Sequence, residues 1–280
     1  MKNLCLGFMC VANFLVGMTS HVDEFILSPT DEIEIAKVFF AKESDEAKAL
    51  LILAPGQNSN GLKMLERSEW KAFAQKHSLV LCSYHFVSDD NLLEKGKGYF
   101  RADRESGRIL LDQIDKYFDG ESPPLLIHGV SGGAHFSSSL VNLVPERFIF
   151  WSAYSAAWWI APAEHDFYPP GVVSCGTQDA LRFYPSLNFF QKGRRLGYRW
   201  TWVALKDMGH SMSKDYEYFI MEYMVTLLNK SPGCEGILSD IHLRSEIDVG
   251  KDLSLAKKDE HLSWIPNSKL KSYWEVIHEF

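Results

Sequence analysis

Ser131 has the clearest chemical potential in the chain, because it stands among glycines in Gly129-Val130-Ser131-Gly132-Gly133, between an apolar run and a run of helix formers. The pattern is G-x-S-x-G. By composition alone a chain of this length meets it roughly one time in ten, so its context has to carry the meaning. "PPLLIHG" before it reads as a buried strand, and "GAHFSSSLVNLV" after it as a helix. A tight strand-to-helix turn holds a serine in an unfavourable backbone conformation and exposes its Oγ; it needs small neighbours, and the amide that follows points at an oxygen acquiring negative charge. The expected chemistry is attack by the Ser131 oxygen on a carbonyl carbon. Such a nucleophile needs a base, and the base needs an orienting carboxylate.

A turn of that kind has to be held by a sheet. "IEIAKVFFAK" alternates as a half-buried strand, and "ALLILAPG" is continuously apolar, as a strand covered on both faces is. "GLKMLERSEWKAFAQKHS" carries Leu62, Leu65, Trp70, Phe73 and Ala74 at helical spacing, and "LVLCSYHF" is again a buried strand. The alternation continues through "GRILLDQIDKYFD" (helix), "RFIFWSAYS" and "GVVSCG" (strands), "RFYPSLNFFQKGRRLG" (mostly helix), "RWTWVALK" (strand) and "DYEYFIMEYMVTLLNK" (long helix). This predicts an α/β fold, a doubly wound, mostly parallel sheet with helices on both faces. Ligands of such sheets bind at the carboxyl ends of the strands. One domain is expected over residues 21–230, and residues 231–280 are expected to extend it, with Trp264, Ile265, Leu270, Trp274 and Ile277 packing as a terminal helix or hairpin.

With "GVSGGAHF" in that setting, the chain resembles the α/β-hydrolase fold superfamily, and within it the secreted serine esterases of the polyester depolymerase and feruloyl-esterase-like branch. The resemblance spans residues 33–230. It implies the chain order serine, acid, histidine. "VVSCGTQDAL" supplies Asp179 just beyond one buried strand, and "WVALKDMGHSMS" supplies His210 just beyond the next. Asp179 also suits the N-cap of the following helix. Asp207 is a competing carboxylate, although three residues from His210 in the same loop it is expected to face solvent. His85, His128 and His135 are less well placed for a base, and packing or hydrogen bonding is expected of them. The oxyanion hole is expected from the backbone N–H groups of Gly132 and Gln57. Pro55-Gly56 stands where many relatives carry His-Gly, so a side chain that often braces this loop is missing, and "GQNSNG" also reads as a plain polar turn.

The segment "SAYSAAWWIAPAEHDFYPPG" suggests Tyr154, Trp158 and Trp159, with Phe167 and Tyr168, as an apolar wall near the serine. The same aromatics could instead pack beneath their own loop. The implied activity is ester hydrolysis through Ser131, His210 and Asp179 by way of an acyl-enzyme, requiring no metal or organic cofactor. Two alternatives stay open. A serine peptidase of this fold would use the same residues, though such enzymes commonly add a substrate-gating domain, and a non-catalytic binding protein is left open by the altered Pro55-Gly56 loop.

A net charge of -7 gives no broad electropositive footprint, which argues against nucleic acid or an anionic membrane as partner. A small-molecule or polymeric ester fits better. Residues 1–20 carry Lys2, an apolar stretch from Leu4 to Met18, then small residues. That is the layout of a secretory signal peptide and short for a membrane span, so a secreted or periplasmic protein is expected. Beyond Cys5 and Cys10 in the leader remain Cys82, Cys175 and Cys234, an odd set without metal-type spacing. Buried, inert thiols are expected of the first two.

Overall fold

A computed structural model describes residues 21–42, 47–229, 236–245 and 258–280. The expected signal peptide and Cys234 lie outside the described residues. The main sheet has eight strands: β1 (Val22–Leu27), β2 (Ile35–Lys42), β3 (Ala49–Ala54), β4 (Leu79–Val87), β5 (Leu125–Val130), β6 (Phe148–Tyr154), β7 (Gly171–Gly176) and β8 (Trp200–Leu205). They lie in the order β1-β2-β4-β3-β5-β6-β7-β8. From β4 to β8 every pairing is parallel, and β2 runs antiparallel to both β1 and β4. Every residue of β3, β7 and β8 is buried, because helices cover both faces; this is why those strands are unbroken apolar runs.

The helices are α1 (Leu62–Leu65), α2 (Ser68–His77), α3 (Asp90–Glu94), α4 (Glu105–Tyr117), α5 (Gly132–Leu143), α6 (Ala180–Arg195) and α7 (Lys214–Leu228). Leu110 and Ile114 of α4, Phe136 and Leu140 of α5 and Phe190 of α6 fill the core on one face of the sheet. Trp70 and Phe73 of α2, with Phe219 and Tyr223 of α7, fill the core on the other. The doubly wound α/β arrangement is the one the sequence predicts. The single helix expected over residues 61–78 is instead two. Arg67 leaves the helical conformation at ψ 127°, and its guanidinium clamps both carboxylate oxygens of Glu217 on α7 at 2.6 and 2.7 Å.

The C-terminal segments form both of the expected elements. β9 (Ile237–Asp240) pairs antiparallel with β10 (Leu262–Ile265), and α8 (Ser268–Ile277) follows. They solve the problem of β8, an edge strand whose free backbone groups would otherwise invite pairing with another chain. Trp202 N–H donates to Ser263 Oγ, Trp274 Nε1–H donates to the Trp202 carbonyl, and Ala204 N–H donates to His278 Nδ1. Trp274, Ile265 and Leu270 are buried beneath this cover. No helix among the described residues is long and apolar enough to cross a membrane.

Candidate active site

β5 runs into α5 through a single residue. Ser131 has φ 54° and ψ -114°, a conformation that strains any side chain by roughly 1–3 kcal/mol and persists only when its surroundings impose it. The imposing contacts are backbone ones. Ser131 N–H donates to the Tyr154 carbonyl at 2.8 Å. A Cβ on Gly129 would strike the Gly133 carbonyl and Ser137 Oγ, and one on Gly133 would strike the Ala54 carbonyl. Strand and helix therefore pack closely enough to leave Ser131 protruding.

Two loops at the same edge of the sheet bring the other groups to it. Asp179 follows β7 and His210 follows β8. His210 Nδ1 lies 2.7 Å from Asp179 Oδ2, and His210 Nε2 lies 3.0 Å from Ser131 Oγ. A carboxylate only accepts, so Nδ1 carries the proton and Nε2 presents a lone pair to the serine hydroxyl. Asp179 precedes the first residue of α6 but makes no side-chain capping bond; its second oxygen accepts from Arg182 Nη1 at 3.0 Å. Its side chain is 5% exposed against 38% for His210, so the carboxylate is shielded while the imidazole meets solvent. Asp207 is exposed, and its N–H donates to Thr177 Oγ1. Neither His128 nor His135 reaches Ser131. His128 Nδ1 bonds Ser152 Oγ, and His135 Nε2 accepts from Ala157 N–H. Burial pushes His128 down to about 4 and His135 down to about 3, so both are neutral near pH 7.

Gly132, the first residue of α5, has an N–H with no intrahelical acceptor. A Cβ there would sit 2.6 Å from Gln57 N, so the Gln57 amide nitrogen lies close to Gly132, next to Ser131. The loop carrying Gln57 has a brace in place of the missing histidine. Asn58 N–H donates to Tyr99 Oη at 3.0 Å, Asn58 Nδ2 donates to the Ser88 carbonyl at 3.1 Å, and Ser88 N–H donates back to Asn58 Oδ1 at 3.1 Å. Gln57 Nε2 adds a bond to Asp90 Oδ1 at 3.0 Å. Asn58 sits at φ 50°, a left-handed conformation that asparagine adopts more readily than most residues.

The aromatic residues divide. Trp158 packs on His135 with ring centroids 4.3 Å apart, and Phe100 lies 4.8 Å from the same imidazole and 6.2 Å from Trp158. Phe100 also abuts Gly132; nothing in the sequence singled it out, because it lies in an aperiodic stretch before α4. Trp159 stacks on Phe189 at 4.3 Å and packs under its loop. Tyr168 is buried against Tyr198 and Trp200. Tyr154 corrects the expectation of a wall residue: its ring is wholly buried, and its hydroxyl points at the carbonyls of Gly209 and Ser211. Cys82 and Cys175 are free and buried. A cavity of about 520 Å³ lined by Lys42, Tyr117 and Pro124 opens at the amino ends of β3 and β5, the opposite edge of the sheet from Ser131.

No protein-family model matches the sequence, and no curated protein matches it. Solved structures do. A poly(3-hydroxybutyrate) depolymerase from Bordetella parapertussis superposes with a TM-score of 0.55 at 14% identity, covering 76% of this chain and 92% of that one. The fold is that of the α/β-hydrolases. An S-formylglutathione hydrolase from Agrobacterium tumefaciens of the same α/β-hydrolase fold gives 0.55 at 15% identity over 74% of this chain and 94% of its own. FphF, a fluorophosphonate-binding serine hydrolase from Staphylococcus aureus, gives 0.54 at 13% over 75% and 99%.

Proposed function

We propose that this α/β-hydrolase chain is a serine hydrolase that cleaves carboxylic esters. The observation that carries the reading is the unbroken hydrogen-bonded chain from Asp179 through His210 to Ser131, on a strained turn. Ser131 Oγ attacks the ester carbonyl carbon while its proton passes to His210 Nε2, and Asp179 holds the imidazolium that forms. The carbonyl oxygen becomes an oxyanion and accepts from the Gln57 and Gly132 N–H groups. Collapse breaks the ester C–O bond; the departing alkoxide takes the proton from Nε2 and leaves as the alcohol. Water then repeats the sequence on the acyl-enzyme, returning the proton and freeing Ser131. The substrate's apolar part lies against Phe100, which abuts Gly132, and against Trp158, whose ring centroid is 6.2 Å from that of Phe100.

Solved structures that share the fold include a poly(3-hydroxybutyrate) depolymerase and a ferulic acid esterase, which supports an ester substrate, and a dipeptidyl aminopeptidase IV, which makes the peptidase the alternative to separate. Residues 1–20 serve as an export signal in this reading, which makes the protein secreted or periplasmic. The test is a pair of substrates, a p-nitrophenyl ester and the matching p-nitroanilide, together with a fluorophosphonate probe. Ester turnover with labelling at Ser131 supports the reading. Turnover of the anilide in preference to the ester replaces it with a peptidase, and a folded protein that neither turns over ester nor takes the probe defeats it.

A further inference from the structure

Tyr154, at the end of β6, is tied to both partners of the proton transfer. Its carbonyl accepts the Ser131 N–H at 2.8 Å. Its hydroxyl lies 2.6 Å from the Ser211 carbonyl and 3.0 Å from the Gly209 carbonyl, the carbonyls of the two residues on either side of His210. One phenolic proton cannot serve two acceptors fully, so it is shared and leans toward Ser211. The ring has no exposed surface and rests on Tyr216, whose own hydroxyl is held by Ser174 Oγ. The strut therefore has a rigid foot in the sheet.

We infer that Tyr154 is the positioning residue that sets the separation between Ser131 and His210, acting through the backbone at both. The other ties of the His210 loop among the described residues are peripheral: Gln178 N–H donates to the Met208 carbonyl, Met208 N–H to the Leu205 carbonyl and Asp207 N–H to Thr177 Oγ1. The Gly209 and Met208 carbonyls also pack onto Gly176, which has no side chain to set their height. The imidazole is partly exposed, and among the described residues it is aimed by Asp179, Ser131 and these backbone bonds. Proton transfer at 3.0 Å is sensitive to displacement; a shift of about 1 Å can cost on the order of 100-fold in rate.

This inference rests on Ser131 and His210 acting as nucleophile and base, so its test has one readout in turnover and one that needs no substrate. Tyr154→Phe keeps the ring and the main-chain bond to Ser131 and removes only the hydroxyl. The expected result is a kcat lower by about 10- to 100-fold with KM within about twofold, and a broadened or lost low-field proton resonance of His210 Nδ1–H. Thr201→Val removes a buried hydroxyl near the amino end of β8, bonded to Tyr223 Oη and the Trp264 carbonyl and touching neither Tyr154 nor the loop, and kcat is expected to be unchanged. If Ser131→Ala is inactive and Tyr154→Phe keeps wild-type kcat, the strut is overturned and the esterase reading stands. An equal loss of kcat in Tyr154→Phe and Thr201→Val also overturns it, because any lost buried bond would then do. If the wild type hydrolyses no ester, the esterase reading fails, and the His210 resonance decides alone: unchanged in Tyr154→Phe, it overturns the strut, while broadening supports it.

Discussion

In the proposed mechanism the residues around Ser131 divide the work between side chains that react and backbone that stabilises charge. Gln57 and Gly132 contribute only N–H groups, so their value depends on what holds the loop behind them. That is Asn58, which trades two side-chain bonds with the Ser88 backbone and tolerates a left-handed φ of 50°. Asn58→Ala removes both bonds and leaves the Ser88 groups without those partners. The expected outcome is a kcat lower by about 10- to 1,000-fold, toward the loss that follows removal of an oxyanion donor, with little change in KM. Steady-state kinetics check it, and a kcat equal to wild type would mean that the brace does not serve the oxyanion. The bond from Asp179 to Arg182 has a different effect. It occupies the carboxylate oxygen that does not face His210 and so keeps the carboxyl from rotating away from the imidazole.

At the scale of elements, the close seating of β5, α5 and β3 makes the turn, and it needs hydrogen atoms at Gly129 and Gly133. A Cβ on Gly133 meets backbone, which cannot swing aside as a side chain can. Gly133→Ala is expected to cost at least about 2 kcal/mol by overpacking, read as a lower urea midpoint, and a wild-type midpoint would contradict the packing described. The same scale explains what the sequence disclosed. Ser131, Asp179 and His210 each sit within a few residues of an apolar strand end, so local pattern and chain order were enough to find them. Phe100, the Asn58 brace and the Tyr154 hydroxyl were not legible, because their partners lie 30 to 57 residues away in sequence or in aperiodic loops. β1 escaped because Asp23 and Glu24 break its apolar pattern; an edge strand with one partner can carry them. The break at Arg67 escaped because Glu217, which claims its guanidinium, lies 150 residues on.

For the whole molecule, the C-terminal segments close the edge at β8, and three buried histidines link its stability to pH. Trp274 is fully buried, and its indole N–H bonds the Trp202 carbonyl. Trp274→Ala is expected to lose about 3–5 kcal/mol with a rise in self-association, measured by chemical unfolding and light scattering; a loss below 1 kcal/mol would mean that this segment is not part of the core. Burial pushes His128 and His278 down to about 4 and His135 down to about 3. Unfolded, each would titrate near 6.5, so below that pH the unfolded chain binds more protons than the folded one. The stability these groups permit is complete above about 6.5 and is lost as pH falls toward 4, each contributing up to about 1.4 kcal/mol per pH unit in that window. Urea unfolding at pH 7.0, 6.0 and 5.5, above most carboxylate titration, is expected to give a steadily falling midpoint. A flat profile would show that the three rings are protonated without cost.

The most direct test of the central claim compares the wild-type chain lacking residues 1–20 with its Ser131→Ala form on p-nitrophenyl esters of increasing acyl length. Turnover by the wild type that falls at least about 1,000-fold in Ser131→Ala, with unchanged unfolding behaviour, is the predicted result. Equal turnover by the two proteins would contradict the account, because the ester would then be cleaved without the residue that the turn, the histidine and the two amides are all built around.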